Sequence, residues 1–117
     1  TTLHYADGLD NPKDKAFRLA YAKAYKLQPD VYAVQGYDAA QMLGIGLTAA
    51  KGDMSKRDAL FKAIEKARID SPRGAFTLSK SHNPVQDIYL RKVEGKVNQV
   101  QGVAVKALAD PGRGCRM

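Results

Sequence analysis

Few residues of this 117-residue chain have the types and spacing that catalysis requires. Its two histidines, His4 and His82, and its one cysteine, Cys115, stand far apart, and no nucleophile motif surrounds any of them. The chain is therefore read as non-enzymatic. No metal-ligand spacing flanks Cys115, and neither a metal nor a cofactor is expected. The run Gly44-Ile45-Gly46-Leu47-Thr48-Ala49 spells the G-x-G-x-x-A of dinucleotide sites. In those sites the glycines follow a strand and open a helix, so that backbone N–H groups meet a pyrophosphate. Here they sit inside an apolar helical stretch, and the nucleotide reading is set aside.

What remains is a set of side chains suited to binding. Tyr37 offers an apolar ring with a polar tip. Asp38 has the charge to meet a ligand ammonium, but its expected place in the first turn of a helix favours a role at that helix terminus. His82 could donate to an acidic ligand or serve as a turn residue. Arg73, in Ser71-Pro72-Arg73-Gly74, could reach a carboxylate; anchoring the turn is preferred.

Three helices must position these groups. Asn11 can cap the first, with Pro12 at its first position and Asp14 near its positive end. Phe17, Ala20, Tyr21, Ala24 and Tyr25 recur at helical spacing on one apolar face, and Pro29-Asp30 is the expected stop. Core packing is expected of Tyr21 and Tyr25. Residues 31–34 read as a short extended link or strand. The stretch 34–52 follows, apolar or small on nearly every side after Tyr37-Asp38, and Gly52 suits its far end. Gly44 and Gly46 each cost roughly 1 kcal/mol against alanine inside a helix, which implies that another backbone passes close by. The third helix opens at Ser55 with Asp58 completing a capping box, and Leu60, Ile64 and Ala67 line its face. Three strands are expected after it: residues 75–79, where Phe76 and Leu78 share a side, then a hairpin of residues 86–93 and 97–108 with Gly102 at a bulge. The class is thus α/β. Two amphipathic helices and a small sheet cannot surround the central helix and also fill their own faces. The chain is expected to be a fragment, or to assemble with a second chain.

The formal net charge of +7 permits contact with nucleic acid or an anionic membrane. The bases are scattered along two helices and a turn, without a block of five like charges or an arginine-aromatic ladder, and nucleic acid is not expected as a partner. A basic nucleic-acid-binding module and a self-assembling interaction module are the alternatives from other classes. No apolar run reaches the ~18 residues of a membrane span. The chain opens at Thr1 without a charged leader or an apolar signal core, so a targeting peptide is expected to be absent or already removed.

In this order, "YADGLDNPKDKAFRLAYAKAYKLQPDVYAVQGYDAAQMLGIGLTAAKGD", "SPRGAFTLSKSHNPVQDIYLRKVEG" and "ADPGRGCRM" resemble the C-terminal third of solute-binding proteins of ABC importers. The similarity is to the type I, leucine/isoleucine/valine-binding branch, and it covers essentially the whole chain. It implies two α/β lobes joined by crossing strands, with residues 1–30 in the second lobe, 31–84 in the first, and 85–117 returning to the second. The central helix would then lie on strands that this chain does not contain. The resemblance further implies capture of a small amino acid or aromatic carboxylate by hinge closure, in the periplasm, and delivery to a membrane permease. It places Tyr37 at the cleft edge, with its ring in the pocket wall, and sets His82 and Gln86 beside the last crossing. The expected ligand-binding residues are therefore Tyr37, Asp38, His82 and Gln86. Cys115 would pair with a cysteine in the missing half.

Overall fold

The computed structural model describes residues 1–114; Cys115, with the expectation about its pairing, lies outside the described residues. Strand β1 (Thr2–Leu3) is too short to show an alternating pattern, and cross-strand bonds make it. The Thr1 ammonium donates to the Arg91 carbonyl at 2.9 Å, and the Arg91 N–H donates back to the Thr1 carbonyl at 2.8 Å. Helix α1 (Pro12–Tyr25) starts as its residues dictate. Asn11 Oδ1 accepts from the Lys13 N–H at 2.9 Å, and Pro12 occupies the first turn.

Two boundaries differ from the sequence reading. Lys26 adopts a left-handed conformation (φ 60°) and ends α1 before Pro29-Asp30. Asp30 instead caps helix α2 (Val31–Ala49): its Oδ1 accepts from the N–H groups of Tyr32 and Ala33, both at 3.0 Å. Residues 31–34 are therefore helical, not extended. Two capped N–H groups outweigh the strand preference of the β-branched Val31 and Val34. Tyr37 and Asp38 lie in the helix interior as a result, so Asp38 is not a first-turn carboxylate and Tyr37 does not begin the helix. The far end closes as expected, with Gly52 at φ 77° donating to the Leu47 carbonyl at 2.9 Å.

Helix α3 (Arg57–Glu65) lacks the expected capping box. Asp53 Oδ1 takes both the N–H and the hydroxyl of Ser55, at 3.0 and 2.6 Å, and Lys56 stands at the cap position without a side-chain capping bond. α3 packs its Leu60 and Ile64 on Gly46 of α2. A Cβ at Gly46 would sit 2.8 Å from Leu60 Cγ and 3.0 Å from Ile64 Cδ1. The close approach implied by the glycines thus exists at Gly46, made by side chains. At Gly44 nothing lies within 4 Å of such a Cβ.

Five strands form among the described residues, two more than expected. β2 (Arg68–Ile69), β3 (Phe76–Leu78), β4 (Pro84–Glu94) and β5 (Val97–Leu108) join β1 in one sheet whose ladders are all antiparallel. β4 is its spine: residues 84–85 pair with β3, residues 89–90 with β1, and residues 86–94 with β5. Gly102 marks a bulge as anticipated. Leu90 faces Gly102 and Arg91 faces Val100, leaving Gln101 unmatched.

Tyr5, Ala6, Leu9, Val34 and Tyr89 make the buried cluster, with Phe17, Val31 and Val100 packed on it. The helices contribute little else to a core. The buried residue of α1 is Asp14, and those of α2 are Val34, Asp38 and Gly46. Tyr32, Leu43 and Leu47 of α2 remain 74 %, 56 % and 37 % exposed, which meets the expectation of an uncovered apolar helix. Tyr21 and Tyr25 stack in a row, ring centroids 4.6 Å apart, along an open groove between α1 and α2 rather than in the core. The radius of gyration is 15.8 Å and the extents are 48 × 38 × 19 Å. A compact chain of this length would have a radius of about 13 Å. No helix among the described residues is long and apolar enough to cross a membrane.

Candidate functional site

Two of the four residues expected to bind ligand meet around a third. Asp38 points inward from α2, 2 % exposed, and its Oδ2 accepts from Ser71 Oγ at 2.9 Å and from Arg73 Nε at 2.8 Å. Arg73 Nη1 donates to Gln86 Oε1 at the start of β4. The guanidinium also lies over the Phe76 ring, 4.2 Å from its centroid. Asp38 therefore neither caps its helix nor meets solvent. It neutralises a buried arginine, and Gln86 occupies another arm of the same fork.

Burial sets the electrostatics of this pair. It pushes the Asp38 carboxyl above its ordinary range, against the bond from Ser71 and the charge of Arg73. It pushes the Arg73 guanidinium below its ordinary range, against the attraction of Asp38. Both shifts say that lost hydration outweighs mutual attraction. The second carboxylate oxygen, Oδ1, is buried without a hydrogen-bond partner among the described residues.

The other two expected residues face elsewhere. The Tyr37 ring packs on Phe17, centroids 5.0 Å apart, with Lys13 Nζ 5.8 Å over its face. His82 occupies a turn at φ 60°, and its Nε2 is 3.1 Å from Glu65 Oε1 of α3. Arg73 belongs to the turn, as preferred, but its side chain does far more than anchor it. Nothing in Ser-Pro-Arg-Gly shows that the arginine will meet an aspartate 35 positions earlier.

A second assembly escaped the sequence reading. Beside the N-terminus of α2 lies a hollow of about 400 Å³ whose wall includes Tyr5, Arg18, Asp30, Tyr32, Arg91 and Lys96. Three separate segments supply it: residues 5–32 from the chain's start, the turn into β5, and β4. Its wall carries three cations, Arg18, Arg91 and Lys96, against two carboxylates, Asp7 and Asp30. Both carboxylates are engaged. Asp7 Oδ1 accepts from Arg18 Nη2 at 2.8 Å and its Oδ2 from the Asn98 N–H at 2.8 Å, while Asp30 caps α2. Arg91 makes one long bond, Nη1 to the Tyr5 carbonyl at 3.4 Å, and its Nε has no partner among the described residues. The exposed ring of Tyr32 stands at the edge. A positive, partly apolar hollow of this size fits a small anion with an apolar part. A sequence signal did exist: Asp30 as a cap would have placed Tyr32 in a first turn beside it. Among the described residues no cluster of histidine, cysteine or carboxylate side chains could hold a metal ion.

A model of the periplasmic binding protein family matches residues 1–98. A solute-binding protein of an ABC transporter from R. palustris, solved in complex with benzoate, is 47 % identical and superposes with a TM-score of 0.95, over 100 % of this chain and 32 % of that one. A solute-binding protein from Rhodopseudomonas palustris BisB5, in complex with 3,4-dihydroxybenzoic acid, is 30 % identical at a TM-score of 0.81, over 96 % of this chain and 32 % of that one. A leucine-binding protein, LivK of Thermotoga maritima MSB8, shares the fold at 22 % identity and a TM-score of 0.71, over 87 % of this chain and 29 % of that one. No curated protein matches the chain. The chain spans about a third of the length of these structures.

Proposed function

We propose a function on one premise: this chain belongs to the periplasmic binding protein family and carries part of its type I fold. On our reading it serves in the solute-binding component of an ABC importer, captures a small aromatic carboxylate in the periplasm, and presents it to a membrane permease without chemically changing it. One observation carries the reading: the whole chain superposes, at 47 % identity, on a solute-binding protein that holds benzoate. The amino-acid ligand, the other expectation, has support from relatives too distant to indicate more than fold.

The hollow beside α2 is the pocket wall that this chain contributes. The hollow draws Tyr5, Arg18, Arg91 and Lys96 together with Tyr32 of α2. Arg91 and Lys96 would attract the ligand carboxylate, and the Tyr32 ring would lie against the arene. A ligand touching both lobes shifts the equilibrium toward the closed arrangement, which is the hinge mechanism. Tyr37, Asp38 and Gln86 then work behind this wall, with Asp38 and Gln86 holding Arg73 in place. His82 marks the last crossing.

The test is calorimetry with benzoate on the two-lobe protein, this chain together with the rest of its reading frame. Benzoate should bind at micromolar Kd, Arg91→Ala should weaken it at least tenfold, and leucine should give no heat. Binding of leucine in preference to benzoate would overturn the ligand class, and an unchanged Kd in Arg91→Ala would overturn the placement.

A further inference from the structure

Tyr32, Gln35 and Asp38 follow one another along α2 at neighbouring helical positions. Tyr32 edges the hollow, and Asp38 holds Arg73. Gln35, between them, reaches the residue that follows β1: its Nε2 is 3.2 Å from His4 Nε2. An amide nitrogen only donates, so this ring nitrogen accepts, and the imidazole is neutral with its proton on Nδ1. Arg91 approaches from β4. Its N–H donates to the Thr1 carbonyl at 2.8 Å, and its Nη1 reaches the carbonyl of Tyr5, the residue after His4, at 3.4 Å. His4 therefore joins the hollow to the Asp38–Arg73–Gln86 cluster.

The charges that bear on His4 are Arg73 of the turn and Arg91 of β4, while α2 offers it the uncharged Gln35. Burial first, then these two guanidinium groups, hold the imidazole below its ordinary pKa of about 6.5. No carboxylate offsets them at His4, and Asp38 is already bound to Arg73 and Ser71. Two cations and an imidazole without an anion make a seat for one. Resting on the aromatic-carboxylate reading above, we infer that the ligand carboxylate drawn in by Arg91 comes to lie against His4, and that a proton from solvent joins His4 Nε2 as it does so. The Gln35 amide then turns its oxygen toward the ring, because a protonated Nε2 can only donate. The sign of the coupling follows. The carboxylate offsets the charges that keep His4 neutral, so the complex binds more protons than the free protein. Affinity rises as pH falls toward about 6.5 and somewhat below it.

The experiment is calorimetry with benzoate on the two-lobe protein at about pH 6 and about pH 8, each in two buffers of different ionisation heat, which reads both Kd and the protons taken up. Wild type should take up a fraction of a proton at the lower pH, and its Kd there should be about 3- to 10-fold below that at the higher pH. In His4→Gln the uptake should vanish and Kd should hardly change with pH. Gln35→Glu sets a carboxylate beside the imidazole before any ligand arrives, so proton uptake on binding benzoate should fall there too, and benzoate should bind more weakly. The two variants lie on different elements, so one reports if the other is too unstable. Benzoate binding without proton uptake in wild type, or uptake unchanged in either folded variant, overturns the role of His4 and leaves the ligand class standing. No benzoate binding by wild type at either pH overturns the ligand class, and the inference with it.

Discussion

At the scale of single residues, this chain buries charge where a helix would ordinarily bury carbon. Asp14 is buried on α1, and Asp38 is buried on α2 beside Val34. Asp14 Oδ1 accepts from the Tyr5 hydroxyl at 2.9 Å, and Arg18 Nε stands 3.7 Å from its other oxygen. Removing one partner of such a pair leaves the other buried and unpaired. Asp38→Ala should therefore lower stability by about 3–5 kcal/mol in urea titrations. The double variant Asp38→Leu/Arg73→Met should cost clearly less than the sum of the single changes, because it leaves no orphan charge. Tyr5 supplies a pH test. Burial first, and the Asp14 charge second, hold its phenol well above the ordinary value of about 10. A group raised on folding contributes stability that is complete below its unfolded pKa and is lost as pH rises beyond it. Above pH ~10 the wild-type chain should lose about 1.4 kcal/mol per pH unit through this group. Tyr5→Phe should flatten that limb of the stability profile.

At the scale of elements, Gly44 and Gly46 of α2 separate two kinds of contact. Gly46 faces Leu60 and Ile64 at distances that admit no Cβ without displacement. Gly46→Val should thus cost about 1–3 kcal/mol by overpacking the α2–α3 seam. Gly44 faces open space, so Gly44→Ala should raise the melting temperature of this chain, by helix propensity worth up to about 1 kcal/mol. The same substitution reports on what covers the helix in a longer protein. If strands lie on that face, Gly44→Ala loses its benefit there. Circular dichroism on the two lengths of chain distinguishes the cases. The helix boundaries carry a related lesson. Asn11 and Pro12 announced α1 because both act on their nearest neighbours. Ser55 failed as a cap because Asp53, two residues before it, bound its hydroxyl first.

At the scale of the whole molecule, the fold is flat and open: a sheet, three helices and one small cluster cannot shelter the apolar length of α2. Leu43 and Leu47 of α2, Phe61 of α3, and Val93, Val103 and Val105 of the hairpin all reach solvent. The chain alone should therefore enhance the fluorescence of a dye that binds apolar surface, and the two-lobe protein should do so far less. On the proposed reading, in which this chain carries only part of a pocket wall, it should also bind benzoate weakly, at a Kd in the millimolar range or above by calorimetry. Micromolar affinity in the isolated chain would contradict the shared pocket.

Short-range relations were readable from the residues alone: the Asn11-Pro12 helix start, the Gly52 helix end, the hairpin and its Gly102 bulge, and a central helix too apolar for its company. Each depends on groups a few positions apart, or on a face counted by period. The motif series over the whole length likewise indicated the family. Tertiary structure alone decided where the charges go. That Asp38, Arg73 and Gln86 form one cluster, that Tyr37 turns toward Phe17, and that Arg18, Tyr32, Arg91 and Lys96 wall one hollow are contacts between segments far apart in sequence. Local spacing holds no record of such meetings, because the free energy that makes them comes from burying surfaces that exist only after the chain has closed on itself.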